Sequence, residues 1–155
     1  RVRSLILVEA EGEVNVVRDY DLSLPELTAD PDQLIQALLN ITGNALQALR
    51  ENPKQTQPPH IILRTRAQRQ FTIGAVRHRL VLRLDIIDNG PGIPPSLIDS
   101  IFYPMVTGRA SGSGLGLSIS QDIIHLYHGL IECESRVGQT VFSIFLPLES
   151  GHDSR

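Results

Sequence analysis

Residues 29 to 50, "ADPDQLIQALLNITGNALQALR", limit what this chain can fold into more than any other stretch. Asp30 is placed to cap a helix, Pro31 fills the first helical position, and Asp32 suits the positive helix end. Leu34, Leu38, Ile41, Ala45 and Leu49 recur at helical spacing and form one apolar stripe. The helix must stop before Pro53, and "ENPKQTQPP" reads as an exposed loop. Such a helix must bury its stripe against another layer, and the rest of the chain supplies strands for one.

"VNVVRDY" (14 to 20) is rich in β-branched residues and reads as a strand. "HIILRTRAQ" and "RLVLRLDIID" are two more, joined by "RQFTIGAVRH" as a hairpin extension around Gly74. "GLIECES" and "TVFSIFLP" pair around a turn at Gly138. Between the hairpins, "GLGLSISQDIIHLY" is helical, with Leu117, Ile119 or Ser120, Ile124 and Tyr127 able to face inward. At the start, "RVRSLILVEAE" puts Val2, Leu5 and Ile6 at helical spacing with Gly12 as a C-cap, and a strand is the competing reading. "ESGHDSR" is a frayed tail. The order α-β-α-β-β-α-β-β predicts an α/β protein: a two-layer sandwich of a mixed five-stranded sheet with helices on one face. Two hairpins argue against a doubly wound parallel sheet.

Composition sets the class. At 155 residues the chain is expected to be one domain, 1–155, with a real core. Hydrophobic residues at 41% and charged residues at 20% describe an ordinary soluble globular protein. A net charge of −3 without a basic run argues against bulk nucleic-acid binding. Nothing approaches the ~20 apolar residues of a membrane span, and no signal peptide opens the chain. Cys133 is the single cysteine, so no internal disulfide forms and a reducing cytoplasm fits. The abrupt opening predicts a fragment of something longer.

The stretch from Asp88 to Ile119 is rich in glycine and proline and holds no lysine. A P-loop is excluded, because no Gly-Lys pair occurs and the single lysine, Lys54, lies in the proline-rich loop. The same absence excludes a eukaryotic-type protein kinase, which needs a strand lysine. Gly112, Gly114 and Gly116 follow a long loop, not the strand a Rossmann turn requires. They still open a helix, whose free N–H groups and positive end suit an anion; a flexible loop with a helix cap is the plain alternative. Asp88 ends an apolar strand. It either caps a turn or accepts hydrogen bonds from a ligand amine such as the 6-amino group of adenine, with Gly90 and Gly92 letting backbone approach a flat ring. Asn40 and Asn44 lie roughly 40° apart around their helix and point the same way. Each offers the neutral oxygen that Mg²⁺ accepts, unless both are core-edge asparagines satisfied by backbone.

In this order and on these elements, Asn40-x-x-x-Asn44, Asp88-x-Gly90-x-Gly92 and Gly112-x-Gly114-x-Gly116 resemble the Bergerat-fold ATP-binding superfamily of gyrase, heat-shock chaperone, MutL and sensor histidine kinases. The resemblance covers nearly the whole chain. It implies that Asn40 and Asn44 are the catalytic, Mg²⁺ and phosphate residues and that Asp88 reads the adenine. It adds Gly90, Gly92, Ile93, Arg109, Gly112, Ser113, Gly114, Leu115, Gly116 and Leu117 to an ATP site, with the Thr140 hydroxyl near the adenine. Mg²⁺, helix N–H groups and Arg109 would supply the charge that the missing lysine does not.

The gyrase-like ATPases carry a glutamate, a general base, four residues before the metal-binding asparagine. Here that residue is Asn40, and an amide cannot take a proton. Sensor histidine kinases carry asparagine at both positions, because their acceptor histidine stands on another domain. "DPDQLIQALLNITGNALQAL" is similar to their N box. "VRDYDLSLPEL", "IILRTR", "DNGPGIPP", "FYPMVTGR" and "GSGLGLSI" resemble the nitrogen-regulation, NtrB-type, sensor kinases, with Phe102 to Met105 as the F box and 103 to 114 as a lid. The resemblance implies a cytoplasmic catalytic domain that passes the γ-phosphoryl of Mg-ATP to a histidine on a separate dimerisation domain. Sensory and phospho-acceptor domains would lie outside the chain. Partners would be that domain, a response regulator and a PII-type signalling protein, without nucleic acid or membrane contact, and the isolated chain would be a monomer.

Departures and rivals stand beside this. Gly43 replaces an arginine usual in such sequences and costs up to about 1 kcal/mol against alanine in mid-helix. Gln47 stands where many histidine kinases carry lysine. None of His60, His78, His125, His128 and His152 precedes a glutamate, so none has the acceptor context. A stand-alone Bergerat ATPase and a degenerate nucleotide- or partner-binding module remain the alternatives.

Overall fold

The computed structural model describes residues 14–23, 30–52, 57–102 and 116–148. The segment expected to be helix or strand over 2–11 and the C-terminal tail lie outside them. Helix α1 spans Pro31–Arg50, and Asp30 caps it, its Oδ1 accepting from the Asp32 N–H at 2.9 Å. The buried apolar residues of α1 are Ala37, Ile41, Ala45, Leu46 and Leu49, whereas Leu34 and Leu38 are half-buried. The buried face is wider than the expected stripe because α1 packs against both the sheet and a second helix. Ala37 and Leu46 join it on that account.

Strands β1 (Asn15–Asp19), β2 (His60–Ile73), β3 (Val76–Asp88), β4 (Leu130–Arg136) and β5 (Gln139–Pro147) form one sheet in the order β1-β2-β3-β5-β4. β1 and β2 are parallel and the other neighbours antiparallel, so the sheet is mixed as expected. The extension between the central strands is itself strand, with the chain reversing at Gly74 (φ +60) and Ala75. One element was not anticipated: α2, a single turn over Pro95–Ile98, started by a proline that fits the first helical position. Its Leu97 and Ile98 pack onto the core.

Helix α3 (Gly116–Leu126) lies along α1. Ser120 faces inward and Ile119 stays 43% exposed, because the Ser120 hydroxyl donates to the Ala37 carbonyl at 2.9 Å. Tyr127 closes the far end of the pair, donating to Gln33 Oε1 at 2.6 Å and accepting from the Asp30 N–H at 2.9 Å. Ile41, Leu46, Ile61, Ile86, Ile124 and Ile144 are fully buried in one cluster between these helices and the sheet. Each such side chain contributes roughly 1.5–3 kcal/mol of burial before entropy is counted. No helix among the described residues is long and apolar enough to cross a membrane.

The opposite face of the sheet is different. Arg64, Asp85 and Ser143 stand side by side across β2, β3 and β5. Asp85 is 1% exposed and accepts from Arg64 Nη2 at 2.9 Å, Arg83 Nε at 3.1 Å and Ser143 Oγ at 2.6 Å. Burial pushes its carboxyl up, but the donors Ser143, Arg64 and Arg83 outweigh that and hold it below the usual carboxylate range. α1 and α3 both pack on the other face, where the core cluster lies. That has a topological consequence. Both crossovers, β1-α1-β2 and β3-α3-β4, run in the same direction across the sheet, yet their strands point oppositely. With both helices on one face, one of the two crossovers is left-handed, against the usual rule.

Candidate functional site

Asp88 is the last residue of β3, 3% exposed and paired with Ile61 on one side and Thr140 on the other. One carboxylate oxygen accepts from the Gly90 N–H at 2.9 Å, so the turn-capping role is real. A Cβ at Gly90 would lie 2.9 Å from the same oxygen and 3.6 Å from Leu49 of α1, which is why the turn needs glycine. Gly92 has φ +85, and a Cβ there would run into the Arg136 backbone, 2.9 Å from its carbonyl carbon. The next residue, Ile93, donates its N–H to Ser135 Oγ at 2.7 Å, and Ser135 Oγ lies 2.8 Å from Thr140 Oγ1. Asn89 anchors the loop from below, accepting from the His60 N–H at 2.8 Å and donating to the Pro58 carbonyl at 3.0 Å.

The other wall is α1. Asn40 Nδ2 donates to the Gly116 carbonyl at 3.3 Å, and its Oδ1 accepts from Gln36 Nε2 at 2.9 Å. A Cβ on Gly116 would sit 3.7 Å from Asn40 Cβ, so the first turn of α3 lies directly against Asn40. At its other end α1 reaches the Asp88 turn, with Ala48 and Leu49 against Gly90. Ala48 is eight positions beyond Asn40, about 12 Å of helix, and Asn44 stands halfway. Asn40 and Asn44 are both half-buried, and Leu117 packs on the core. The helix therefore brings the start of α3, Asn44 and Asp88 onto one line.

Arg109, Gly112, Ser113, Gly114 and Leu115 lie outside the described residues, as do the expected lid over 103 to 114 and the F-box residues after Phe102. Phe102 itself meets the Phe142 ring edge-on, 6.2 Å between centroids. Of the histidines, His60 starts β2, His78 is buried in β3, His125 lies in the last turn of α3 and His128 follows the helix. Cys133, on β4, has its thiol pushed up to about 12 by burial first and then by the charges of Asp88 and Glu134. It stays a neutral thiol beside the carboxylate. Among the described residues no group of three or more His, Cys, Asp or Glu could hold a metal. The neutral oxygens on the α1 wall belong to the Asn40 and Asn44 amides, the kind of ligand that Mg²⁺ accepts.

The residue that sequence reasoning missed is Ser135. The signal was present: Ser135 and Thr140 flank the Gly138 turn, which makes the two hydroxyls cross-strand partners.

A protein-family model described as "Histidine kinase-, DNA gyrase B-, and HSP90-like ATPase" matches residues 29–150. The chain is 53% identical over 148 residues to the sensory histidine kinase/phosphatase NtrB of Escherichia coli O157:H7, covering 96% of this chain and 41% of that one. It is 35% identical over 143 residues to the protein of that name from Rhizobium meliloti (strain 1021), covering 89% and 36%. The chain thus spans about two-fifths of the length of these relatives. Among solved structures, the nucleotide-free catalytic domain of histidine kinase ThkA superposes with a TM-score of 0.74 at 24% identity, covering 99% of this chain and 93% of that one. Full-length ShkA in complex with AMPPNP also gives 0.74 at 24%, covering 97% and 29%. At that identity the likeness establishes the fold, a five-stranded α/β sandwich shared with histidine kinase catalytic domains. Since the matched residues include α1, the Asp88 turn, α3 and the β4-β5 hairpin, every element that builds the site, the chain belongs to the family of histidine kinase-, DNA gyrase B- and HSP90-like ATPases.

Proposed function

We propose that residues 1–155 are the catalytic, ATP-binding domain of a nitrogen-regulation sensor histidine kinase. The domain binds Mg-ATP and delivers the γ-phosphoryl to a histidine on a separate dimerisation domain. The observation that carries this is Asn40: at the contact between α1 and the first turn of α3 the chain places an amide. An amide cannot abstract a proton, so this position cannot activate water or a hydroxyl. The work left to the site is binding and placement, which is what transfer to a histidine supplied from outside requires. The likeness to NtrB proteins over 96% of the chain supports the nitrogen-regulation branch.

In this reading Asp88 accepts from the adenine amine, and Thr140 offers its hydroxyl close by. Gly90, Gly92 and Ile93 bring backbone against the ring. Asn44, with Asn40, contributes amide oxygens toward the metal and phosphates, and Arg109 with Gly112, Ser113, Gly114, Leu115, Gly116 and Leu117 surrounds the triphosphate. Mg²⁺, when bound, supplies positive charge against the phosphate oxygens. Partners are the phospho-acceptor dimerisation domain, a response regulator and a PII-type protein, in the cytoplasm. The test is calorimetric titration of ATP with and without Mg²⁺. Binding strengthened by Mg²⁺ and without steady phosphate release is the expected result. No binding in either condition would sink the reading, and steady hydrolysis would replace it with a stand-alone ATPase.

A further inference from the structure

We propose that Ser135 is a positioning residue for recognition of the base, an inference that rests on the ATP-binding reading above. Two hydrogen-bonding contacts and one steric limit converge on it. Its oxygen accepts from the Ile93 N–H at 2.7 Å, lies 2.8 Å from Thr140 Oγ1, and sits 3.2 Å from where a Gly92 side chain would begin. The glycine turn is thereby fastened to the end of β4, and Gly92 can take its left-handed conformation against Arg136 only because it has no side chain. A serine hydroxyl has one hydrogen and two lone pairs. The Ile93 N–H occupies one lone pair, which leaves the hydrogen and one lone pair facing Thr140. With Ser135 as donor to Thr140, the Thr140 hydrogen is released toward the other side of its strand. Asp88, the in-register neighbour of Thr140, stands there. Ser135 then decides two things at once: where the Gly90–Ile93 backbone lies, and what Thr140 presents next to Asp88. Thr140 is 4% exposed and Asp88 3%, so water cannot easily take over either task.

The experiment titrates ATP and ITP, with Mg²⁺, into the wild-type chain, Ser135→Ala and Ser135→Thr, with thermal unfolding measured beside each. ITP carries an oxygen in place of the amine, so the ATP/ITP affinity ratio reports base reading and not phosphate binding. Ser135→Ala should lower ATP affinity about fivefold, as expected for one lost buried hydrogen-bond pair, and narrow the ATP/ITP ratio. Ser135→Thr keeps the hydroxyl and should restore both to within about twofold. Should Ser135→Ala fail to fold, Ser135→Cys keeps the shape with a weaker donor and carries the same comparison. A lowered melting temperature with unchanged ATP affinity and ATP/ITP ratio would show a merely structural serine and overturn the inference. A wild-type chain that bound no ATP would overturn the functional reading itself, which separates the two failures.

Discussion

Asp88 carries two duties that pull on one carboxylate: it closes the Gly90 turn and, in the proposed function, it accepts from the adenine amine. Replacing it by asparagine keeps the shape and one acceptor but puts an NH₂ where an acceptor-only group stood. Asp88→Asn should therefore lower ATP affinity at least about tenfold, equivalent to about 1.4 kcal/mol, while far-ultraviolet circular dichroism stays unchanged. Equal affinity in a folded variant would remove Asp88 from the site. At this scale the sequence was legible where chemistry is scarce. A lone carboxylate ending an apolar strand, or two amides a helical turn apart, stands out against its neighbours. Ser135 did not, because a serine on a strand is common and its meaning depends on Ile93, which is 42 residues away in the chain.

Elements were legible in proportion to their local signals. The start of α1 was, since Asp30 and Pro31 act within one turn; its full buried face was not, since Ala37 is buried by a bond from Ser120, 83 residues on. The single turn α2 has too few residues to show a period. Within α1, no atom of the described residues beyond the local helix backbone lies within 4 Å of where a Gly43 side chain would begin. Gly43→Ala should thus stabilise the chain by about 0.5–1 kcal/mol in urea unfolding, because alanine restricts the unfolded chain and meets no clash. A loss of stability would mean that the surroundings of α1 are tighter than this. On the other face of the sheet, Asp85 has its folded pKa depressed. A depressed carboxyl stabilises the fold above its unfolded value, near 3.9, and that contribution is lost as pH falls through the folded value. Asp85→Asn should cost about 2 kcal/mol at pH 7, less than a fully enclosed pair because Arg64 and Arg83 are each 37% exposed. The gap to wild type should close as the pH is taken below about 4. A gap that persisted in acid would mean that Asp85 acts through packing and not through charge.

For the whole molecule, strand count, mixed pairing and the two-layer arrangement follow from hairpin signals and helical stripes, whereas crossover handedness has no local signal. The general preference for right-handed crossovers would separate α1 and α3 onto opposite faces. Here both helices pack on the face opposite the Arg64-Asp85-Ser143 row, whose members come from three different strands. Because both helices share a face, the start of α3 comes to rest on Asn40, and the site exists only as a product of that topology. In the proposed function the acceptor is supplied by another domain. Asn40 cannot take a proton, and no histidine precedes a glutamate. Phosphoryl transfer depends on an acceptor held in line with the leaving group, and misplacement by about 1 Å can cost a factor of about a hundred. Purified residues 1–155 should therefore bind radiolabelled ATP but neither label themselves nor release phosphate at an appreciable rate. Adding a second polypeptide that bears dimerisation helices and their histidine should produce labelled protein at the size of the added chain, stable to base and labile to acid as a phosphohistidine is. Incorporation of γ-phosphate into residues 1–155 alone would place the acceptor within this chain, and transfer in trans would no longer describe what the domain does.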